Sequence, residues 1–153
     1  MLLGLRLTGL VMSVSTLVYV LRPNLIAWAQ VDLPAVVRWL GAPLALLGAA
    51  LFVATLRALG PNLTDTVVTR KAHTLVTDGP YRWVRHPFYL SALLGGVGTA
   101  LLAASLLILA ATLLVYGLLV VRTPLEERHL AERFGEAYEE YRRAVPAFWP
   151  RLP

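Results

Sequence analysis

The chemistry-bearing residues of this chain fall in two clusters. The first is DGPYRWVRHPFYL at 78–90, which places Arg82, Arg85 and His86 among two tyrosines, a tryptophan and two prolines. The second is RTPLEE at 122–127, which brings Arg122 and the pair Glu126 and Glu127 directly after a long apolar run. On a helix Arg122 and Glu126 are neighbours at i, i+4. An arginine there can hold a carboxylate in a bidentate fork, and a glutamate can bind hydroxyls or balance a cationic ligand. Glu127, His86 or a tyrosine can act as a base toward an acceptor that must lose a proton. Ionisable residues at membrane depth usually face a cavity and mark function. The plainer assignment makes Arg82 and Arg85 topology determinants and Tyr81 and Trp83 interfacial anchors, with Glu126 a capping residue. That assignment does not explain His73 and His86, or the acidic pair.

The elements that must position these residues are membrane helices. Of the 153 residues, 58% are hydrophobic and 15% charged, and mean hydropathy is +0.65. Such a chain lacks the polar surface a soluble domain needs. The expected architecture is an all-α, polytopic helix bundle with four membrane spans. The first span covers 2–21 and the second 37–59. The apolar stretch 88–121 is too long for one helix and divides into a tight hairpin, with helices over 87–102 and 105–122. Ser91, Gly95, Thr99 and Ala103 recur every fourth residue, the small-residue pattern of close helix packing, and this assigns Gly95, Gly96 and Gly98 to helix contact. Ala27-Trp28-Ala29 resembles a cleavage site, but the run before it has no leading charge, so a retained first helix fits better.

Lys and Arg concentrate in the 60–86 connection and in the tail after Val121, and the hairpin turn has none. The positive-inside bias therefore puts both termini, the connection and the clusters on the cytoplasmic side. The same bias accounts for the net charge of +5 without nucleic acid, since no basic run interleaved with exposed aromatics lies outside the membrane flanks. The Asn62-Leu63-Thr64 sequon then falls on the wrong side for glycosylation. With no cysteine there is no thiolate chemistry, and His73, His86 and His129 lack metal-site spacing. The tail reads as an amphipathic helix that starts at a Thr123 cap, with Pro124 in the first turn and Glu126 closing a capping box. Phe134, Tyr138 and Tyr141 form one face of that helix, Gly135 can break it, Pro146 ends it, and Phe148 and Trp149 return to the interface.

Five motifs carry a resemblance: HTLV at 73–76, GPY at 79–81, RHPFY at 85–89, RTPLEE at 122–127 and FGEAYEEY at 134–141. Their order and spacing resemble the isoprenylcysteine carboxyl methyltransferase family, whose wider superfamily includes membrane phospholipid N-methyltransferases. The resemblance covers the C-terminal half of a single domain (1–153), so residues 60–153 form its cofactor-binding, catalytic part and 1–59 supply two N-terminal helices without a signature. It implies an S-adenosylmethionine site lined by His73, Thr74, Leu75, Val76 and Tyr81. His86, Pro87, Phe88 and Tyr89 would form a second wall, with Glu126 touching the cofactor. Arg122 matches the position that meets the substrate carboxylate, and Glu127 remains the candidate base. The implied reaction is carboxyl O-methylation of a lipophilic, isoprenylcysteine-like acceptor that enters from the bilayer. Pro124-Leu125 stands in place of a more acidic run of eukaryotic relatives, which keeps open a phospholipid amine or a small thiol as acceptor. Outside enzymes, the alternative is a membrane module that binds anionic lipids.

Overall fold

The computed structural model describes residues 2–60 and 74–150, and among these residues the chain is all-helical. His73 and the polar residues 61–72 lie outside the described residues. Helix α1 spans Leu2–Leu21, α2 Ala35–Leu59, α3 Pro87–Ala103, α4 Leu106–Phe134 and α5 Glu136–Ala144. Short 3₁₀ turns at Pro23–Ala29 and Gly79–Arg82 precede α2 and α3. Both α2 and α4 are long and apolar enough to cross a membrane, yet their most apolar windows are only 17% and 28% buried within the chain. A core helix of a soluble protein would be mostly covered. Here Leu46, Leu47, Leu113, Leu114 and Val121 stand open, which suits a hydrocarbon solvent and not water.

Helices α2 and α3 pack backbone to backbone. A side chain at Gly48 would overlap the backbone of Gly95 and approach the Ser91 carbonyl, and one at Gly98 would overlap Ala45 and Gly41. Small residues allow this approach, and van der Waals contact replaces the hydrophobic drive that lipid cannot provide. On its other side α3 meets α4, where a Cβ at Gly96 would collide with Thr112. Gly95 itself faces open space. Gly48→Ala is therefore expected to lower the apparent Tm in detergent, with an overpacking penalty of about 1–3 kcal/mol. Gly95→Ala is expected to leave it unchanged or raise it, since alanine is the better helix former by roughly 1 kcal/mol. Thermal scans of the two variants check the contrast.

Ala104 takes a left-handed conformation (φ 48°) and joins α3 to α4, while Ser105 caps α4 by accepting a hydrogen bond from the Ile108 amide. The preceding turn is stapled to this link, because the Val31 amide donates to the Ala104 carbonyl (2.8 Å). Arg38 donates from Nε and Nη2 to the Leu102 carbonyl (3.2 and 3.0 Å), which satisfies the exposed end of α3. A small core of Ala100, Ala103 and Ile108 sits beneath, with Tyr19 of α1 and Leu109 against it.

The tail departs from the sequence expectation. No helix starts at Thr123: α4 runs unbroken from the apolar stretch through Pro124 to Phe134. The Thr123 hydroxyl caps nothing and donates to the Leu119 carbonyl one turn back (3.1 Å). Glu126 likewise closes no capping box but pairs with Arg122 across the proline (2.8 Å). Proline removes one hydrogen bond from the helix, and the four-residue ion pair spans the gap. The chain turns at Gly135, whose φ of 56° favours glycine. Phe134 thus ends α4, while Tyr138 and Tyr141 belong to α5.

Candidate active site

Where α4 passes beyond the apolar stretch, its residues Leu119, Arg122, Glu126, Leu130 and Arg133 follow helical spacing along one face. That face is one wall of a cavity of about 470 Å³. The opposing wall is the segment before α3 and its first turn. Pro80 sets a tight turn, and Pro87 opens α3 with its fixed φ. Between those prolines the backbone delivers Tyr81, Arg85 and His86 to the cavity, followed by Pro87, Phe88 and Tyr89. Thr74, Leu75, Val76, Phe134, Tyr138 and Tyr141 also line the cavity.

A polar chain links the two walls. The Tyr89 hydroxyl donates to Glu126 Oε2, and Arg122 Nε donates to Glu126 Oε1 at 2.8 Å. The pair is about 30% exposed on each side, so the carboxylate is oriented but still reachable from the cavity. Glu127 has a different setting. It is absent from the cavity wall and accepts from Arg85 Nε (3.0 Å) and Nη2 (2.7 Å). His86 Nε2 lies 3.2 Å from the same oxygen. With side chains 12% and 14% exposed, Arg85 and Glu127 form a partly buried ion pair. Arg85 also donates from Nη1 to the carbonyls of Arg142 and Val145. The backbone amides of Arg85 and His86 donate to Pro146 (2.9 Å) and Ala147 (3.0 Å). The C-terminal segment is thereby tied along the back of the site, where Phe148 packs on His86 (5.6 Å), Tyr89 (6.4 Å) and Tyr116 (6.2 Å).

Electrostatics follow this burial. Burial lowers the His86 pKa below its ordinary value against the pull of Glu127, so the imidazole is neutral at pH 7. Burial raises the Tyr81 and Tyr138 hydroxyls to about 12 and pushes Tyr141 up as well. These tyrosines are hydrogen-bonding groups and not anions. Tyr141 donates to the Tyr81 carbonyl (2.7 Å), joining α5 to the turn before α3. The Tyr138 hydroxyl is buried without a hydrogen-bond partner, although Arg85 lies beside it and directs its own N–H groups to Glu127 and the tail.

Of the residues that the sequence singles out, Thr74, Leu75, Val76, Tyr81, His86, Pro87, Phe88, Tyr89, Arg122 and Glu126 meet at one cavity. Glu127 stands behind its wall, and His73 is not among the described residues. Arg85, read from sequence as a membrane-edge cation, is instead the buried link between α4 and the tail. Leu59, Leu119, Leu130 and Arg133 also line the cavity and were not singled out. The period of the α4 face would have found the last three, had α4 been continued past Thr123. No group of three or more potential metal-binding side chains occurs among the described residues.

Known proteins bear on this arrangement. The model of the phospholipid methyltransferase family matches residues 36–137, from α2 into α5, and takes in the described cavity lining except Tyr138 and Tyr141. The chain belongs to that family. Among curated members and relatives, it is 46% identical over 86 residues to a cobalt-zinc-cadmium resistance protein of Cupriavidus metallidurans, covering 54% of this chain and 38% of that one. It is 35% identical over 97 residues to the protein-S-isoprenylcysteine O-methyltransferase of Schizosaccharomyces pombe, covering 61% and 41% respectively. The chain thus spans about two fifths of the length of these relatives. A solved eukaryotic intramembrane Ras methyltransferase, an isoprenylcysteine carboxyl methyltransferase, superposes with a TM-score of 0.68 at 26% identity over 93% of this chain and 50% of that one. The chain therefore also shares the fold of that isoprenylcysteine carboxyl methyltransferase, whose family its motifs resemble.

Proposed function

We propose that this chain is an intramembrane methyltransferase that uses S-adenosylmethionine to methylate the carboxylate of a lipophilic, isoprenylcysteine-like acceptor. The observation that carries this reading is the Tyr89–Glu126–Arg122 chain on the wall of a cavity set at the end of two exposed apolar helices. The cavity's size suits a cofactor-sized ligand. Its walls are mainly aliphatic and aromatic, and its few charges are a carboxylate and arginines, which fits a ligand that carries a sulfonium, an ammonium and a carboxylate. Four spans, α1 to α4, with both termini and the cavity on the cytoplasmic side, let the cofactor enter from water and the acceptor from the bilayer. Residues 1–153 act as one domain, with 60–153 supplying the site.

Bound here, S-adenosylmethionine would supply a methyl that forms a bond to the acceptor as its bond to sulfur breaks, leaving a neutral thioether. The protein's task is alignment and exclusion of water. Arg122 engages Glu126 through Nε, so its two terminal NH₂ groups stay available to orient an acceptor carboxylate. Tyr89 holds the Glu126 carboxylate from the other side, and Glu126 faces the cationic part of the cofactor. Thr74, Leu75, Val76, Tyr81, His86, Pro87 and Phe88 supply the walls.

Among the described residues, the commitment of Glu126 and Glu127 to other partners supports a carboxylate acceptor over an amine. Glu127 is committed to Arg85 and His86, and Glu126 to Tyr89 and Arg122. The neutral His86 engages Glu127 through Nε2. An ammonium acceptor would need one of these groups to take a proton. A carboxylate acceptor is already deprotonated. Calorimetric titration of the detergent-purified protein with S-adenosylhomocysteine is expected to show one-site binding. Labelled methyl should then pass to a farnesylated cysteine derivative but not to its carboxamide or to phosphatidylethanolamine. No heat at high micromolar ligand sinks the methyltransferase reading, and transfer to phosphatidylethanolamine moves the acceptor to the amine class.

A further inference from the structure

The α4 stripe carries a charge order that its length makes meaningful. From the apolar end outward it runs Arg122, Glu126, Leu130 and Arg133, and Glu126 and Arg133 lie two turns apart, about 10 Å by the helical rise. Three arginines line the cavity, and two have carboxylate partners: Arg85 with Glu127 and Arg122 with Glu126. Arg133 has no carboxylate within ion-pair distance among the described residues. Its guanidinium instead rests over the Phe134 ring, 5.5 Å from the centroid, in the range of a cation–π contact. The aromatic face limits the conformations of a long side chain but leaves its N–H donors unused, which favours capture of an anionic ligand group. Leu130 separates this cation from Glu126.

We propose that Arg133 binds the α-carboxylate at the amino-acid end of the cofactor. The inference rests on the reading that the cavity takes S-adenosylmethionine. That ligand has one anionic group, and the cavity has one arginine without an anionic partner among the described residues. Its sulfonium belongs near the acceptor, hence near the Arg122–Glu126 pair. Its amino-acid arm then extends outward past Leu130, so that plus, minus, plus along α4 meets the acceptor carboxylate, the ligand cation and the ligand carboxylate in turn. The bidentate geometry of arginine with carboxylate gives the contact direction as well as charge.

Two ligands separate this from general electrostatics. One is S-adenosylhomocysteine, and the other is its decarboxylated counterpart, which keeps the adenosine, thioether and amine. The intact protein is expected to prefer the carboxylate-bearing ligand by about three- to tenfold, the range of an exposed to half-exposed charged hydrogen bond. Arg133→Gln should abolish that preference by weakening only S-adenosylhomocysteine, and Arg133→Lys should restore part of it. Arg133 is exposed, so the variants should fold, and unchanged melting without ligand checks this. A preference that survives in Arg133→Gln overturns the assignment while the cofactor reading stands. Equal weakening of both ligands overturns it too, because it makes Arg133 a support of the site and not a carboxylate receptor. Absence of binding by the unaltered protein overturns both readings together.

Discussion

Replacing Glu126 by glutamine is expected to weaken binding of S-adenosylmethionine by roughly ten- to a hundredfold, the value of a hydrogen bond or contact to a charged group. Binding of the neutral-sulfur S-adenosylhomocysteine should weaken less. The substitution keeps shape. A glutamine can turn its carbonyl to Arg122 Nε and its amide to the Tyr89 hydroxyl, so both bonds of the present carboxylate retain neutral counterparts. What disappears is the negative charge. The sulfonium should lie close to it, because the acceptor that Arg122 orients must reach the methyl in line. A charge that binds the cation also resists its loss in the transition state, so uniform and transition-state binding separate here. KM for the cofactor should therefore rise while kcat changes little or increases. Equal weakening of both ligands would instead assign Glu126 to the ribose hydroxyls, and unchanged affinity for both would remove it from the cofactor site. Calorimetry with the two ligands and a kcat–KM split provide the readout.

Much of the helical framework was legible because it depends on local pattern. The limits of α1, the start of α3 at Pro87 and the close approach of α2 and α3 follow from apolar length, a proline at the first helical position and small residues every fourth place. The motifs at 74–76, 79–81, 85–89 and 122–127 likewise pointed to one place. The continuous α4 was not legible. Thr123-Pro124 and Glu126 carry every local sign of a helix start, and what overrides them is non-local. Glu126 is drawn to Tyr89 on another helix, and Thr123 is buried with its hydroxyl turned back to Leu119. Arg85 was misread for the same kind of reason. An arginine beside a tryptophan at an apolar boundary has the composition of a membrane-edge anchor. Only the fold reveals that Glu127, Arg142 and Val145 surround it.

Arg85→Ala should therefore act on stability more than on chemistry. Removing one member of a buried ion pair costs about 3–5 kcal/mol because the other charge stays behind. This pair keeps slight exposure, so about 3 kcal/mol is the expected loss, equivalent to roughly 6–12 °C in apparent Tm for a chain of this size. The carbonyls of Arg142 and Val145 lose their side-chain donor at the same time. The hydrogen bonds from the backbone amides of Arg85 and His86 to the Pro146 and Ala147 carbonyls remain, so the tail should loosen but not detach. Its loosening carries Phe148 away from His86 and Tyr89, and through Tyr89 reaches Glu126. Cofactor affinity should thus fall modestly, and added S-adenosylhomocysteine should recover part of the lost Tm by mass action. Glu127→Gln provides the decisive companion. If the pair is structural, Glu127→Gln also lowers Tm, the double variant is less destabilised than the sum of the two, and the coupling is at least about 1 kcal/mol. Turnover per folded molecule then stays near its original value. If Glu127 were the catalytic base, Glu127→Gln would abolish turnover and leave melting almost unchanged. The geometry favours the first outcome, because its Oε1 accepts from Arg85 twice and faces His86, with no opening toward the cavity where an acceptor could meet it.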